Sequence, residues 1–271
     1  MLRFVAPRRC PTQPEILFRI ENCIGTAILN RPGRKNAIGR QLISELRDAI
    51  RLCGDSAHGV RCLIVASAVP GVFCSGADLK ERREMSVDAA REFVDQLRST
   101  FCEMEDLSIP TIAVIEGKAL GGGLELALAC DLRIAGDGSE LGVPETSLGI
   151  IPGAGGTQRL SKTVGLAFAK ELSFTALPIT AERAERIGLV NGRTPGGHAL
   201  AEAQRIATRI ADNGPIAVRA AKSAIAGGFG KPRSEGMEIE RVNYEKVLAS
   251  KDRIEGLRAF VEKRKPQYRG E

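Results

Sequence analysis

Two glutamates, each set beside a conformationally special turn, are the residues in this chain best placed to do chemistry. Glu125 stands in Ala119-Leu120-Gly121-Gly122-Gly123-Leu124-Glu125-Leu126-Ala127. The three glycines follow a strand-like run, Thr111 to Ile115, and open an apolar helical segment, Leu124 to Cys130. Glycine lets a substrate approach the main chain closely. A helix start there leaves N–H groups unpaired and partially positive, so an oxyanion can be held by backbone alone. Glu125 lies in the first helical turn. It reads as an acid–base group beside that anion, or as an acid complementing the helix dipole. Glu145 follows twenty residues later in Leu141-Gly142-Val143-Pro144-Glu145. Pro144 fixes the backbone before it, and the apolar surroundings favour a raised pKa, which suits a general acid. The alternative for Glu145 is a solvated turn.

A second glycine turn has the same design. Gly71-Val72-Phe73-Cys74-Ser75-Gly76-Ala77-Asp78-Leu79-Lys80 runs from a strand through Gly76 into a polar helix start. It leaves the N–H of Ala77 free to point at a ligand, as the other half of an anion hole or as an ordinary strand-to-helix turn. Other machinery is missing. The two histidines, His58 and His198, fall in polar turn-like contexts, where a surface position is expected, so His-dependent nucleophilic triads are excluded. No G-x-S-x-G, P-loop, dinucleotide fingerprint or zinc-binding spacing occurs. Carboxylate chemistry with backbone stabilisation of an anion remains.

These residues must be positioned by alternating elements. Ile16–Ile20 and Gly25–Asn30 read as a strand hairpin, and Leu42, Leu46, Ala49, Ile50 and Cys53 recur at helical spacing up to Gly54. Arg61–Ala66 is a continuous apolar run, hence a buried strand. Val72–Cys74 is a short strand, Val87–Met104 an amphipathic helix, Thr111–Ile115 a strand before the glycine turn, and Leu132–Ala135 another strand. The turn Pro152–Thr157 precedes a helix near Leu166–Phe174. From His198 onward the pattern is helical: Ala199–Ala211, Ile216–Ala226, Met237–Leu248 and Ile254–Lys263. The expected organisation is a leader over 1–14, a mixed α/β core over 15–195 and a helical C-terminal region over 196–271.

The chain has 271 residues, 43% hydrophobic and 27% charged, which is ordinary globular composition. No apolar run approaches the roughly 18 residues of a membrane span. Trp is absent and aromatics are 4%, against stacking-based binding of single-stranded nucleic acid. The net charge of +6 arises largely in residues 1–40, where eight Lys or Arg face two Glu. This fits a solvated basic surface with a basic leader, or an anionic partner such as a phosphate-bearing small molecule. The acid-free first ten residues fit the remnant of a mitochondrial transit peptide or a disordered terminus. Seven scattered cysteines without C-x-x-C indicate a reducing compartment, with no disulfide framework.

Taken together, Phe73-Cys74-Ser75-Gly76-Ala77-Asp78-Leu79-Lys80, the 119–127 glycine motif with Cys130-Asp131, Val143-Pro144-Glu145 and Ile151-Pro152-Gly153-Ala154-Gly155-Gly156-Thr157-Gln158-Arg159 resemble the enoyl-CoA hydratase/isomerase (crotonase) family. The C-terminal stretch from Asp252 to Arg264 matches as well, and the resemblance spans roughly residues 16–269. Ala77 to Arg82 and Leu124 to Asp131 look most like the methylglutaconyl-CoA hydratase branch.

That resemblance implies an α/β fold, a spiral of ββα units with a helical C-terminal region that builds trimers, often paired into hexamers. It implies an acyl-CoA substrate, no required cofactor and no metal. The Ala77 and Gly122 N–H groups would bind the thioester oxygen. Glu125 would activate water for attack on C3 of a 2-enoyl-CoA, and Glu145 would deliver a proton to C2. Ala77, Asp78, Leu79 and Lys80 would border the CoA adenine, with Lys80 near phosphate. Tyr244, Phe260 and Lys263 align with positions that reach CoA from a neighbouring subunit. Isomerisation and other reactions of the superfamily are alternatives, and the presence of both glutamates favours hydration. An AU-rich RNA-binding function, associated in one relative with a lysine-rich N-terminal helix, is disfavoured. The corresponding helix here has Arg40, Arg47 and Arg51 beside Glu45 and Asp48, and no lysine. DNA and membranes are not expected partners. The matching compartment is the mitochondrial matrix for a eukaryotic protein and the cytoplasm otherwise.

Overall fold

The computed structural model describes residues 13–271, so the first twelve residues of the expected leader lie outside the described residues. The chain starts with an antiparallel hairpin, β1 (Ile16–Glu21) and β2 (Ile24–Leu29), pairing Ile16 with Leu29 and Glu21 with Ile24. The helix α1 (Arg40–Gly54) follows and buries the predicted stripe Leu42, Leu46, Ala49, Ile50 and Cys53.

The chain then repeats one plan. β3 (Cys62–Ser67) and β4 (Val72–Cys74) lead to the helices α2 (Leu79–Arg83) and α3 (Val87–Glu105). β5 (Thr111–Ile115) and β6 (Lys118–Leu120) lead to α4 (Gly122–Ala129). β7 (Leu132–Gly136) and β8 (Glu140–Gly142) lead through a 3-10 turn, Pro144–Leu148, to α5 (Gly156–Thr175). After β9 (Ile179–Thr180), α6 (Ala181–Arg186) and β10 (Gly192–Thr194), the remainder is helical: α7 (Ala199–Asp212), α8 (Pro215–Gly228), α9 (Arg233–Leu248) and α10 (Lys251–Val261).

The first strand of each repeat joins one sheet, in the order β1-β2-β3-β5-β7-β10, parallel from β2 onward. The second strand joins another, β4-β6-β8-β9, in which β4, β6 and β8 run parallel. The expected ββα spiral is therefore present. One expectation is corrected: Thr111–Ile115 does not pass directly into the glycine turn, because β6 intervenes. β6, β8, β9 and β10, each only two or three residues long, escape sequence patterning. The helix expected near Leu166–Phe174 is the second half of α5. It starts at Gly156 and breaks at Gly165, whose φ of 78° leaves the helical region.

The large sheet is buried on both faces, which explains the unbroken apolar run of β3. Leu63 and Val65 enter the main core with α1, α3 and α4, while Cys62 and Ile64 meet Ala199, Ala203 and Ala207 of α7. Alanines one turn apart let α7 lie close to the sheet. The buried Cys62 and Cys130 are free thiols, and His58 and His198 are exposed as expected. Among the described residues no helix is long and apolar enough to cross a membrane.

Candidate active site

The strands of the small sheet end side by side, at Cys74, Leu120 and Gly142, and the chain leaving each enters one cleft. From the first comes Ala77. A parallel bridge joins Ile38 to this segment through the Gly76 carbonyl (2.7 Å) and the Asp78 amide (3.0 Å). A ladder of that register passes the Ala77 N–H by, and it donates to no acceptor among the described residues. From the second comes Gly122, first residue of α4. The first helical bond runs from Glu125 N to the Gly121 carbonyl, so the Gly122 N–H is one of the orphan donors of the helix start.

The glycines bring these two amides together. A Cβ on Gly122 would stand 3.4 Å from Ala77 N, and one on Gly76 would stand 3.3 Å from Gly122 N and 2.9 Å from the Leu120 carbonyl. Side chains at either position would fill the gap. Gly121 has φ 54° and ψ −126°, a conformation costly for any side-chain-bearing residue.

Glu125 is 3% exposed. Its Oε1 accepts hydrogen bonds from the Ala154 N–H (2.9 Å) and the Gly156 N–H (2.8 Å). Burial pushes its carboxyl above the usual range, and those two N–H donors pull the other way. A Cβ on Gly156 would lie 2.8 Å from the same oxygen, so glycine is required there for the carboxylate to seat. The loop 152–157 is held in turn by Arg159, whose guanidinium donates to the Ala154 carbonyl (2.9 Å) and pairs with Glu105.

Glu145, on the 3-10 turn, is 8% exposed, and its Oε2 has no hydrogen-bond partner among the described residues. Burial raises its pKa to about 7, and the negative charge of Glu125 adds to the rise. Its Oε1 lies 2.9 Å from where a Cβ on Gly121 would be. The two carboxyls thus face the same cleft in different surroundings. Burial raises both, but only Glu125 has main-chain donors that offset the rise.

The cleft holds about 90 Å³ of water-accessible space. Ala77, Gly122, Glu125 and Glu145 all line it, with Leu79, Val94, Leu97, Leu148 and Ile151 as apolar wall. The other expected contacts are distributed differently. Leu79 is at the cleft and Lys80 is exposed nearby in sequence. Asp78 is buried; its carboxylate caps α2 through the Lys80 and Glu81 amides and pairs with Arg31 at 2.9 Å. Tyr244 (60% exposed), Phe260 (84%) and Lys263 lie in the C-terminal helical region and do not line the cleft. Sequence reasoning assigned no role to Ala154, Gly156 or Arg159. The glycine-rich Pro152–Thr157 turn was the signal available, but its partner lies about thirty residues away.

The Enoyl-CoA hydratase/isomerase family model matches residues 19–271. The chain is 51% identical over 242 residues to a probable mitochondrial enoyl-CoA hydratase 2 of Arabidopsis thaliana, covering 89% of this chain and 80% of the relative. It is 44% identical to the human mitochondrial methylglutaconyl-CoA hydratase, over 90% of this chain and 73% of that one. A crystal structure of enoyl-CoA hydratase from Bacillus anthracis superposes with a TM-score of 0.92 at 44% identity, covering 95% of this chain and all of the other.

Proposed function

The chain belongs to the enoyl-CoA hydratase/isomerase family, and we propose that it is an enoyl-CoA hydratase, adding water across the 2,3 double bond of an acyl-CoA thioester. The observation that carries this reading is the pair of buried glutamates on one cleft with two amide donors unpaired among the described residues.

The thioester oxygen accepts from the Ala77 and Gly122 N–H groups. Water gives a proton to Glu125 as its oxygen bonds to C3. The C2–C3 π electrons move toward the thioester carbonyl, whose oxygen gains negative charge. Glu145 delivers its proton to C2 as the enolate collapses, leaving a 3-hydroxyacyl-CoA. Donors fixed before the charge develops need no reorganisation, and each is worth about 3 kcal/mol of transition-state stabilisation. Residues Ala77 to Lys80 flank the CoA moiety. Tyr244, Phe260 and Lys263 reach it from a neighbouring copy in a trimer or a dimer of trimers, built by the region 196–271 on the core 15–195. The reaction requires no cofactor. Nucleic acid is not an expected partner: on α1, Arg40 pairs with Glu81 and Arg47 with Glu103. The compartment is the matrix in a eukaryotic cell, as in the mitochondrial relatives, and the cytoplasm otherwise.

Incubation with crotonyl-CoA tests the reading. Loss of the conjugated enoyl absorbance with formation of 3-hydroxybutyryl-CoA is expected. Migration of the double bond or release of free CoA, without a hydroxylated product, contradicts it.

A further inference from the structure

The clamp on Glu125 has cations behind it. Ala154 donates its N–H to Glu125 Oε1 at 2.9 Å, and the other end of that same peptide unit is the Gly153 carbonyl. This carbonyl accepts from Arg98 of α3 twice, from Nε at 3.2 Å and from Nη2 at 3.0 Å. The remaining nitrogen, Nη1, donates to Asp95 at 2.9 Å, one helical turn back, which holds the guanidinium in place. Val94, on the same face of α3, stands against Gly153: a Cβ on that glycine would lie 3.1 Å from Val94 Cγ1. The next peptide unit is gripped in the same way, its Ala154 carbonyl by the buried guanidinium of Arg159. In a trans peptide the C=O and N–H point in opposite directions. A cation on the Gly153 oxygen and a carboxylate on the Ala154 N–H therefore sit at the favoured ends of one dipole. The cation polarises that peptide and strengthens its N–H as a donor.

We propose that Arg98 is a positioning residue for hydration, orienting and polarising the 153–154 peptide so that Glu125 is held as the anion that takes a proton from water. This rests on the hydratase reading above and deepens it. The charged groups around Glu125 are Arg98 and its partner Asp95 from α3, Arg159 from α5 with Glu105, Glu145 from the Pro144–Leu148 turn, and Arg82 of α2 on the cleft wall. Burial pushes the Glu125 carboxyl up, and the positive charges of Arg159 and Arg98 pull the other way, as its two N–H donors do. The Arg98 side chain is 54% exposed, so its direct field is screened and the shared peptide is the main route. That exposure also means that Arg98 can be replaced without opening the core.

The test is the pH dependence of crotonyl-CoA hydration by Arg98→Gln. The midpoint of the acid limb of kcat/KM is expected to rise by about half a pH unit, which lowers the rate at the foot of that limb about threefold and leaves KM on the plateau unchanged. Arg98→Lys, a cation without the planar fork, should recover part of the shift. Arg91→Gln removes an exposed cation two turns earlier on the same helix and should leave the limb in place. An acid limb of Arg98→Gln at the wild-type position overturns the proposal, whether or not the rate falls. So does an equal shift in Arg91→Gln, since net charge alone would then account for it. A carbon-13 NMR titration of the substrate-free protein, with the Glu125 carboxyl assigned from Glu125→Gln, separates this from turnover. A raised Glu125 midpoint in Arg98→Gln, with a wild type that hydrates no enoyl-CoA, would reject the hydratase reading and keep the hold of Arg98 on Glu125.

Discussion

Glu145 has one carboxyl oxygen without a partner, in a wall of apolar side chains. Its pKa rises from an ordinary 4.5 to about 7 on folding, so between those values the native state binds more protons than the unfolded chain. Stability from this group therefore falls as pH rises through that window, by up to about 3 kcal/mol above pH 7. Glu145→Gln removes the charge at nearly constant shape. Urea unfolding at pH 8 should find this variant more stable than wild type, with the difference gone near pH 4. The same group donates a proton only when protonated, so kcat/KM for hydration should fall as pH rises through about 7. In the proposed mechanism Glu125 must be ionised to accept a proton from water, which would set the acid limb of the profile. A rate that rises steadily from pH 6 to 9 is incompatible with Glu145 as the acid.

The geometry of the candidate site comes from short elements that hold one another. The strand end at Leu120 and the start of α4 supply one amide, the bend after β4 supplies the other, and the loop before α5 clamps Glu125. Gly156→Ala would place a Cβ 2.8 Å from Glu125 Oε1 and equally close to Pro152 Cβ. Hydration is expected to drop about 100-fold, the scale of a misplacement near 1 Å, with little change in the far-UV circular dichroism spectrum. What was legible in the sequence follows the same division. The glycine run and Glu125 are adjacent in the chain, so a helix start with an acid in its first turn is visible without a structure. The clamp is not, because Ala154 and Gly156 meet Glu125 only after β7, β8 and the Pro144–Leu148 turn have brought the chain back. Arg98 was hidden for a similar reason. In sequence it is one charge on an amphipathic helix, and only its contact with Gly153 separates it from a solvated helix face.

Across the whole molecule, the spiral buries the large sheet on both sides, but the last helices leave apolar side chains outside. Ile254, Leu257, Phe260 and Val261 of α10 are all more than half exposed, as are Ile225 on α8 and Met237 and Tyr244 on α9. A surface of that kind suits the association with neighbouring copies proposed above. Light scattering after size exclusion should give a trimer or hexamer for wild type and a smaller species for Leu257→Asp. The six-stranded sheet was legible in its long strands, and the helical C-terminus in its 3.6-residue periodicity. The exposed apolar face was not, because exposure becomes visible only once the helices are placed. In the proposed mechanism two buried glutamates divide the work of hydrating an enoyl-CoA. The most direct measurement is the rate of crotonyl-CoA hydration by Glu125→Gln and Glu145→Gln, with butyryl-CoA affinity determined on the same samples. Each variant should lose at least about 100-fold in rate while binding stays within a few-fold of wild type. Hydration by either variant at the wild-type rate would contradict the account.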